Sequence, residues 1–355
     1  MASVARSGRR WKRARQAGAG GEPAPAAPAR PPNSQVSLFV HRGGLTERAS
    51  AVDPSWLAPG SGAIVWLDLV SPGPAEAALL RGTFHFHELA IEDALGETDT
   101  PKVESYDGYL YLILHGIDVT GSAHRVTTHD TDFFIGPNFL VTVHDGLSRT
   151  IAAMRDLCLR NDRIVGEGAA ALLHRIVDSM VDSYRPEFDT LQDRIDDLED
   201  RIFESPDRDT VRQILDLKRE IASLRRVLIP QRDVVGRLAR REFALVDVEI
   251  AYRFRDVYDH LVRLTDETIM FQDRSTSILE AHVSHVSNRL NEVMKVLTVV
   301  STIFMPLTVM TGMFGMNVTL PRFLGGERVQ FWWILLGMLT VSGSMLWWFR
   351  RRGWI

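Results

Sequence analysis

Between Val296 and Phe314 the chain runs for 19 residues without a charge, and a second uncharged run of the same length extends from Phe331 to Phe349. At 1.5 Å of rise per residue each would reach about 28 Å as a helix, close to the thickness of a bilayer's hydrocarbon core. Only helices and closed barrels satisfy their backbone polar groups in that environment. Residues 296–314 and 331–349 are therefore predicted to be two transmembrane helices. Trp332 and Trp333 at one end of the second run and Trp347 and Trp348 at the other are the aromatic pairs that favour membrane interfaces. Arg289 and Lys295 precede the first run and Arg350, Arg351 and Arg352 follow the second, whereas the segment between carries only Arg322 and Arg328. The positive-inside rule then places both termini in the cytoplasm, with residues 315–330 as an external loop of the cytoplasmic (inner) membrane. Lys295 and Arg350–Arg352 would form a basic ring at its inner surface.

Along the first run and just before it, Asn291, Met294, Thr298, Ser301, Met305, Thr308 and Gly312 recur at alternating spacings of three and four. That period puts small, polar and thioether side chains on one stripe of a helix. Such a stripe serves either close packing between helices or the wall of an aqueous pore. The stripe alone favours packing. Two spans cannot enclose a pore with one stripe, so a channel built from this chain requires several copies around an axis.

The remainder has the composition of a water-soluble protein, since the whole chain is 45% hydrophobic and 24% charged while its long apolar runs are concentrated at the end. Residues 1–34, rich in Arg, Pro, Ala and Gly, are expected to be a disordered tail with a basic cluster. In residues 35–150 strand-like runs alternate with the helical FHELAIEDAL, which predicts an α/β domain, with a tight turn at Gly136-Pro137-Asn138. Residues 151–295 read as helical throughout: a hairpin turning at Ser205-Pro206-Asp207, then a helix that nothing obvious breaks between Gly236 and Pro306. The acids Asp189, Asp193, Asp196, Asp197, Glu199 and Asp200 before the hairpin turn are expected on a solvated face. His85 and His87 beside Glu88 lack the spacing of a zinc site, and the single Cys158 excludes a disulfide or thiolate cluster within one chain. No phosphate-binding loop, nucleophile elbow or HExxH motif points to an enzyme, and no nucleic-acid partner is expected.

The segment KVLTVVSTIFMPLTVMTGMFGMN, ending in Gly315-Met316-Asn317, resembles the first transmembrane helix and signature tripeptide of the CorA family of divalent-cation transporters. WLDL, HELAIEDAL, PKVESYDGYLYLIL and NFLVTVH resemble the soluble domain of that family in the same order, and YRFRDVYDH resembles its long helix. The resemblance implies an α/β soluble N-terminal domain followed by a long-helix stalk and two transmembrane α-helices, assembled as a homopentameric membrane channel. It implies Mg2+ as the cation transported and sensed, with Zn2+ or Co2+ (or Ni2+) as alternatives. Asn317 would ring the outer mouth with amide oxygens that hold hydrated Mg2+ through its waters, and Asn291 would do so at the inner end. Met294, Leu297 and Met305 would be apolar constrictions, with the Thr308 hydroxyl midway. Glu92, Asp93 and Asp256 match regulatory cation sites between neighbouring subunits, and Asp178 and His260 match a second cluster. Two departures leave the cargo open. Phe314 stands where the family usually has Tyr, and the loop VTLPRFLGGERVQ keeps only Glu327 of the acids common there. The alternative of another class is a membrane-anchored cation sensor or scaffold that conducts nothing.

Overall fold

The computed structural model describes residues 35–58, 60–96, 100–120, 125–204, 208–316 and 327–354. The expectations for residues 1–34, for the turn at Ser205-Pro206-Asp207, and for Asn317 with residues 318–326 of the loop lie outside these residues, while residues 327–330 of that loop belong to a helix. The described chain forms two compact units: one runs to Glu187 and adds Arg226–Arg263, and the other takes Phe188–Arg225 and the residues from Leu264 on.

The first unit is built on a seven-stranded sheet of order β2-β1-β3-β7-β6-β5-β4. The strands are β1 (Gln35–Arg42), β2 (Leu45–Ala49), β3 (Ile64–Val70), β4 (Lys102–Tyr106), β5 (Tyr109–Thr120), β6 (Arg125–Ile135) and β7 (Phe139–His144). Among the described strands only β3 and β7 pair in parallel, with Val65 opposite Phe139 and Val70 opposite His144; the other neighbours are antiparallel. β3 shows why the sheet is covered on both faces. Val65, Leu67 and Leu69 point into a core with α1 (Pro74–Gly82) and α2 (Glu88–Leu95), while Trp66, Asp68 and Val70, on the alternate face, are buried as well. On the face of the sheet, α5 (Ala169–Asp182) lies against β3, β5, β6 and β7, after α3 (Arg149–Arg160) and the short α4 (Arg163–Gly166).

At the β6–β7 hairpin the Gly136 N–H donates to the Phe139 carbonyl at 3.0 Å. Gly136 is not among the positive-φ residues, so no left-handed torsion calls for a glycine there. A Cβ there would lie 2.2 Å from the Phe139 ring, so the glycine admits a close approach instead.

α6 (Arg185–Glu204) and α7 (Arg208–Ala239) follow, then α8 (Val248–Phe314) and α9 (Glu327–Arg351). In the first unit, α7 is tied to the sheet by a buried triad. The Gln231 Oε1 accepts from the His115 N–H at 2.8 Å, its Nε2 donates to the Tyr184 hydroxyl at 2.6 Å, and that hydroxyl donates to the His115 carbonyl.

The long helix does not begin near Gly236 as the absence of Gly and Pro suggested. It is broken between Ala239 and Val248 by Arg241 at φ +58, a left-handed torsion that ends α7 and turns the chain. The Glu242 N–H returns to the Arg237 carbonyl at 3.2 Å, and its carboxylate is held by Arg237 and Arg240. Asp247 then caps α8, accepting from the Ile250 N–H at 2.8 Å.

In the second unit the apolar series Phe188, Leu191, Ile195, Leu198 and Ile202 on α6 follows the helical period and is buried, as are Ile214, Leu217, Ile221 and Leu224 on α7. Polar bonds fix the neighbours: Arg194 to Glu220 at 2.7 Å, Lys218 to Thr276 at 3.0 Å and Arg225 to Gln272 at 2.8 Å. Of the acids on α6, Asp193, Asp197 and Asp200 are exposed, while Asp196 and Glu199 are held by Arg274 of α8. From Val248 to Phe314, α8 is continuous through Pro306, and α9 is the second apolar helix long enough to cross a bilayer. The α/β domain, the long helix and the two C-terminal apolar helices are those the sequence implied.

Candidate ion pathway and regulatory cation site

α9 packs on one defined face of α8. Val299, Ile303, Pro306, Leu307, Met310 and Phe314 are shielded on α8, as are Ile334, Gly337, Met338, Val341, Met345 and Phe349 on α9. A Cβ on Gly337 would lie 3.3 Å from the Met310 Cε, so the glycine leaves room for that side chain between the two helices. The polar stripe lies elsewhere on the helix. Asn291, Met294, Leu297, Thr298, Ser301, Met305, Thr308 and Gly312 are all exposed, Met305 at 72%. Packing of α9 therefore does not account for the stripe.

The stripe's hydroxyls also have a fixed sense. Thr298 donates to the Met294 carbonyl at 2.7 Å and Thr308 to the Phe304 carbonyl at 2.8 Å. With their protons committed to the backbone, both oxygens present lone pairs outward, as acceptors suited to a cation's water shell. At the end of α8 the Gly315 N–H closes the last turn on the Thr311 carbonyl at 2.9 Å, and Met316 is 58% exposed. Asn317 follows, beyond the described residues. Lys295 is exposed on α8, and Arg350, Arg351 and Arg352 are exposed at the end of α9. Arg351 lies over the Trp347 ring at 5.3 Å and Arg352 over Trp348 at 5.1 Å, pairings of guanidinium and indole that suit an interface.

In the first unit, Glu92 and Asp93 project from the end of α2, Glu92 exposed and Asp93 half-buried. Asp93 is already paired, because the Lys102 Nζ on β4 lies 2.6 Å from its Oδ2 and 2.8 Å from the Glu104 Oε1. Glu104 also accepts from the Tyr106 hydroxyl at 2.8 Å. Burial would lower the Lys102 pKa, but the hydrogen bonds to Asp93 and Glu104 outweigh it and raise it. Close by, Asp132 is buried and bonded to the Tyr111 hydroxyl, and burial pushes its carboxyl up to about 8. Neither Lys102 nor Asp132 had been singled out from the sequence. The signal for Lys102 was its spacing of two from Glu104, which puts both on one face of a strand.

The acids on α5 and α8 form a second group. His260 lies between Asp182 and Asp256, with its Nδ1 3.7 Å from the first and its Nε2 4.0 Å from the second. Asp178 is half-buried, and burial raises its pKa; Asp182 and Asp256 add to the rise while His174 and His260 oppose it. Asp256 itself is 74% exposed on its side chain. Among the described residues no three His, Cys, Asp or Glu side chains are arranged to hold a metal ion within one chain. His87 has a structural role: its Nδ1 caps α2 by accepting from the Leu89 N–H at 3.2 Å, and its ring stacks on Tyr106.

The sequence profile of the CorA-like Mg2+ transporter protein family matches residues 61–351, most of the chain. The chain belongs to this family. Among its relatives, YfjQ of Bacillus subtilis, a candidate metal ion transporter, is 32% identical over 309 residues, 87% of this chain and 92% of its own. The cobalt/magnesium transport protein CorA of Thermotoga maritima is 31% identical, over 77% of this chain and 78% of its own. The zinc transport protein ZntB of Pectobacterium carotovorum is 24% identical, over 82% and 88%. The solved structure of the CorA magnesium transporter from Methanocaldococcus jannaschii superposes with a TM-score of 0.78, covering 90% of this chain and 98% of that one. At 23% identity that likeness speaks for the CorA fold alone.

Proposed function

We propose that this CorA-superfamily divalent metal transporter conducts Mg2+ passively across the cytoplasmic membrane, through a pore lined by the α8 stripe of several copies, five by analogy with the family. The observation that carries the reading is the exposed stripe of Asn291, Thr298, Ser301 and Thr308, which α9 leaves uncovered. A single helix cannot shelter such a stripe from lipid, whereas a ring of copies turns every stripe toward a common aqueous axis. Neutral amide and hydroxyl oxygens suit an ion that gives up its water reluctantly. Asn317 is the outer amide ring, Asn291 the inner one, and Met294, Leu297 and Met305 the apolar constrictions between them. Both termini face the cytoplasm, with Lys295 and Arg350–Arg352 at the inner surface. Cytosolic Mg2+ closes the pore by bridging Asp93, with Glu92 beside it, to Asp256 of a neighbouring copy, and Asp178 and His260 contribute to a second site. The hard carboxylate oxygens of these acids fit Mg2+.

A second reading within transport, conduction of Zn2+, Co2+ or Ni2+, draws on the zinc and cobalt transport relatives and on the nearly acid-free external loop. Cysteine accessibility tests whether the stripe is wet. Native Cys158 is 2% exposed with its thiol pushed up to about 12 by burial, so it is a silent background. Ser301→Cys and Thr308→Cys are expected to react with a membrane-impermeant thiol reagent and to lose flux, while Val300→Cys on the apolar side stays unreacted in membranes. Equal protection of all three would place the stripe in a dry helix contact and favour the non-conducting scaffold.

A further inference from the structure

The proposed sensor site is not an open pair of carboxylates. Lys102 on β4 sits where the side chains of α2 and β4 converge, contacting Asp93 at 2.6 Å and Glu104 at 2.8 Å, with its ammonium 5.5 Å from the centre of the Tyr111 ring. Its side chain is 30% exposed, and those of Asp93 and Glu104 are 38% and 40% exposed. One resident cation thus occupies one of the two Asp93 carboxylate oxygens and neutralises the group's charge.

We propose that Lys102 is a built-in competitor of the regulatory divalent cation, an internal ammonium that must leave Asp93 before Mg2+ can take it as a ligand, and so sets the Mg2+ concentration at which the site fills. The inference rests on the reading of Asp93 as part of the sensor. Three features support it. First, the pair joins two elements of one folded unit, so Lys102 is delivered to Asp93 whether or not another copy is present. Second, Lys102 has a second anchor in Glu104, itself held by the Tyr106 hydroxyl. An ammonium displaced from Asp93 therefore keeps a partner, and the exchange is reversible. Third, the competition is between cations for one carboxylate: Mg2+ brings two charges and its own water shell, and Lys102 brings one charge already in place.

The apparent affinity of a site that is open only a fraction of the time is reduced by that fraction. For a partly exposed, doubly anchored ion pair, the pair is expected to be formed in about eight to nine of every ten molecules, and its removal is expected to tighten Mg2+ binding roughly five- to tenfold. The effect should follow charge and not shape. Arginine at this position would preserve the competition, while a neutral side chain of similar length would abolish it.

The test is a Mg2+ titration of the melting temperature of the full-length protein in detergent, since an ion that binds only the folded assembly raises it as the site fills. In Lys102→Met the midpoint of that titration is expected to move to a five- to tenfold lower Mg2+ concentration. Lys102→Gln, a second neutral variant that retains a hydrogen-bond donor, should move it the same way. Lys102→Arg should keep the wild-type midpoint, and Asp93→Asn should weaken the stabilisation. If Asp93→Asn weakens it but both neutral variants keep or raise the wild-type midpoint, the competition is refuted and the sensor stands. If Asp93→Asn titrates like wild type, the sensor itself is refuted and the competition with it.

Discussion

Asn317→Ala is expected to abolish divalent-cation uptake while leaving assembly and the amount of protein in the membrane unchanged. The residue follows directly on Gly315 and Met316, where α8 has ended, so its replacement alters no residue of the apolar face that meets α9 and none of the α/β domain. What it removes is one amide oxygen per copy at the mouth of the proposed pore. A ring of neutral oxygens is the element that can hold a hydrated ion without stripping its water, and alanine offers none. The expected loss is at least about a hundredfold in initial uptake rate, about 2.7 kcal/mol when converted at 1.36 kcal/mol per decade. Uptake at the wild-type rate by an assembled Asn317→Ala protein would remove the mouth from that residue.

The second large effect is expected at the sensor. Asp256→Asn together with Asp93→Asn should leave conduction intact and raise the cytosolic Mg2+ needed for half-maximal inhibition by at least about tenfold. Without the ion nothing bridges Asp93, held by Lys102 within its own copy, to Asp256 of the neighbour; with it both carboxylates become ligands, so the ion favours the closed arrangement by its differential affinity. Moving a population from 1:99 to 99:1 takes a preference of about ten-thousandfold. Five equivalent sites acting together reach that with about sixfold each, about 1.1 kcal/mol per site. Weak, partly exposed carboxylates such as Asp256 can supply that much. Asp256 and the pore stripe belong to one uninterrupted helix, Val248–Phe314, which gives the bound ion a continuous element to act on. Inside-out patch currents recorded while Mg2+ is stepped from zero to millimolar levels on the cytosolic face check this. Equal inhibition of wild type and the double variant would show that these acids are not the sensor.

Much of this was legible in the sequence because it is periodic. The apolar runs at residues 296–314 and 331–349 and the stripe at spacings of three and four each follow from a pattern that one element imposes on its own residues. What could not be seen arises between elements or from a single torsion. The break before Val248 contains neither Gly nor Pro; it depends on Arg241 in a left-handed torsion and on charges at Arg237, Arg240 and Glu242 that hold the turn. Asp247 ahead of Val248 was a capping signal that the long unbroken pattern masked. Lys102 looked like an ordinary strand lysine because its pairing with Asp93 joins β4 to α2, a contact made only by the fold. His85 and His87 showed the converse, since a suggestive pair of histidines resolves into a helix cap at His87. For the stripe, the sequence pattern alone favoured helix packing, and α9 covers a different face of α8.

The most direct test of the central claim is uptake of Mg2+, Zn2+, Co2+ and Ni2+ into proteoliposomes containing the purified full-length protein, each with and without a proton gradient. The account predicts that Mg2+ enters down its own gradient at a rate indifferent to the proton gradient, and that Asn317→Ala vesicles stay empty. No entry of any of the four ions would contradict conduction altogether, and entry of Zn2+ without Mg2+ would contradict the assignment of the cargo.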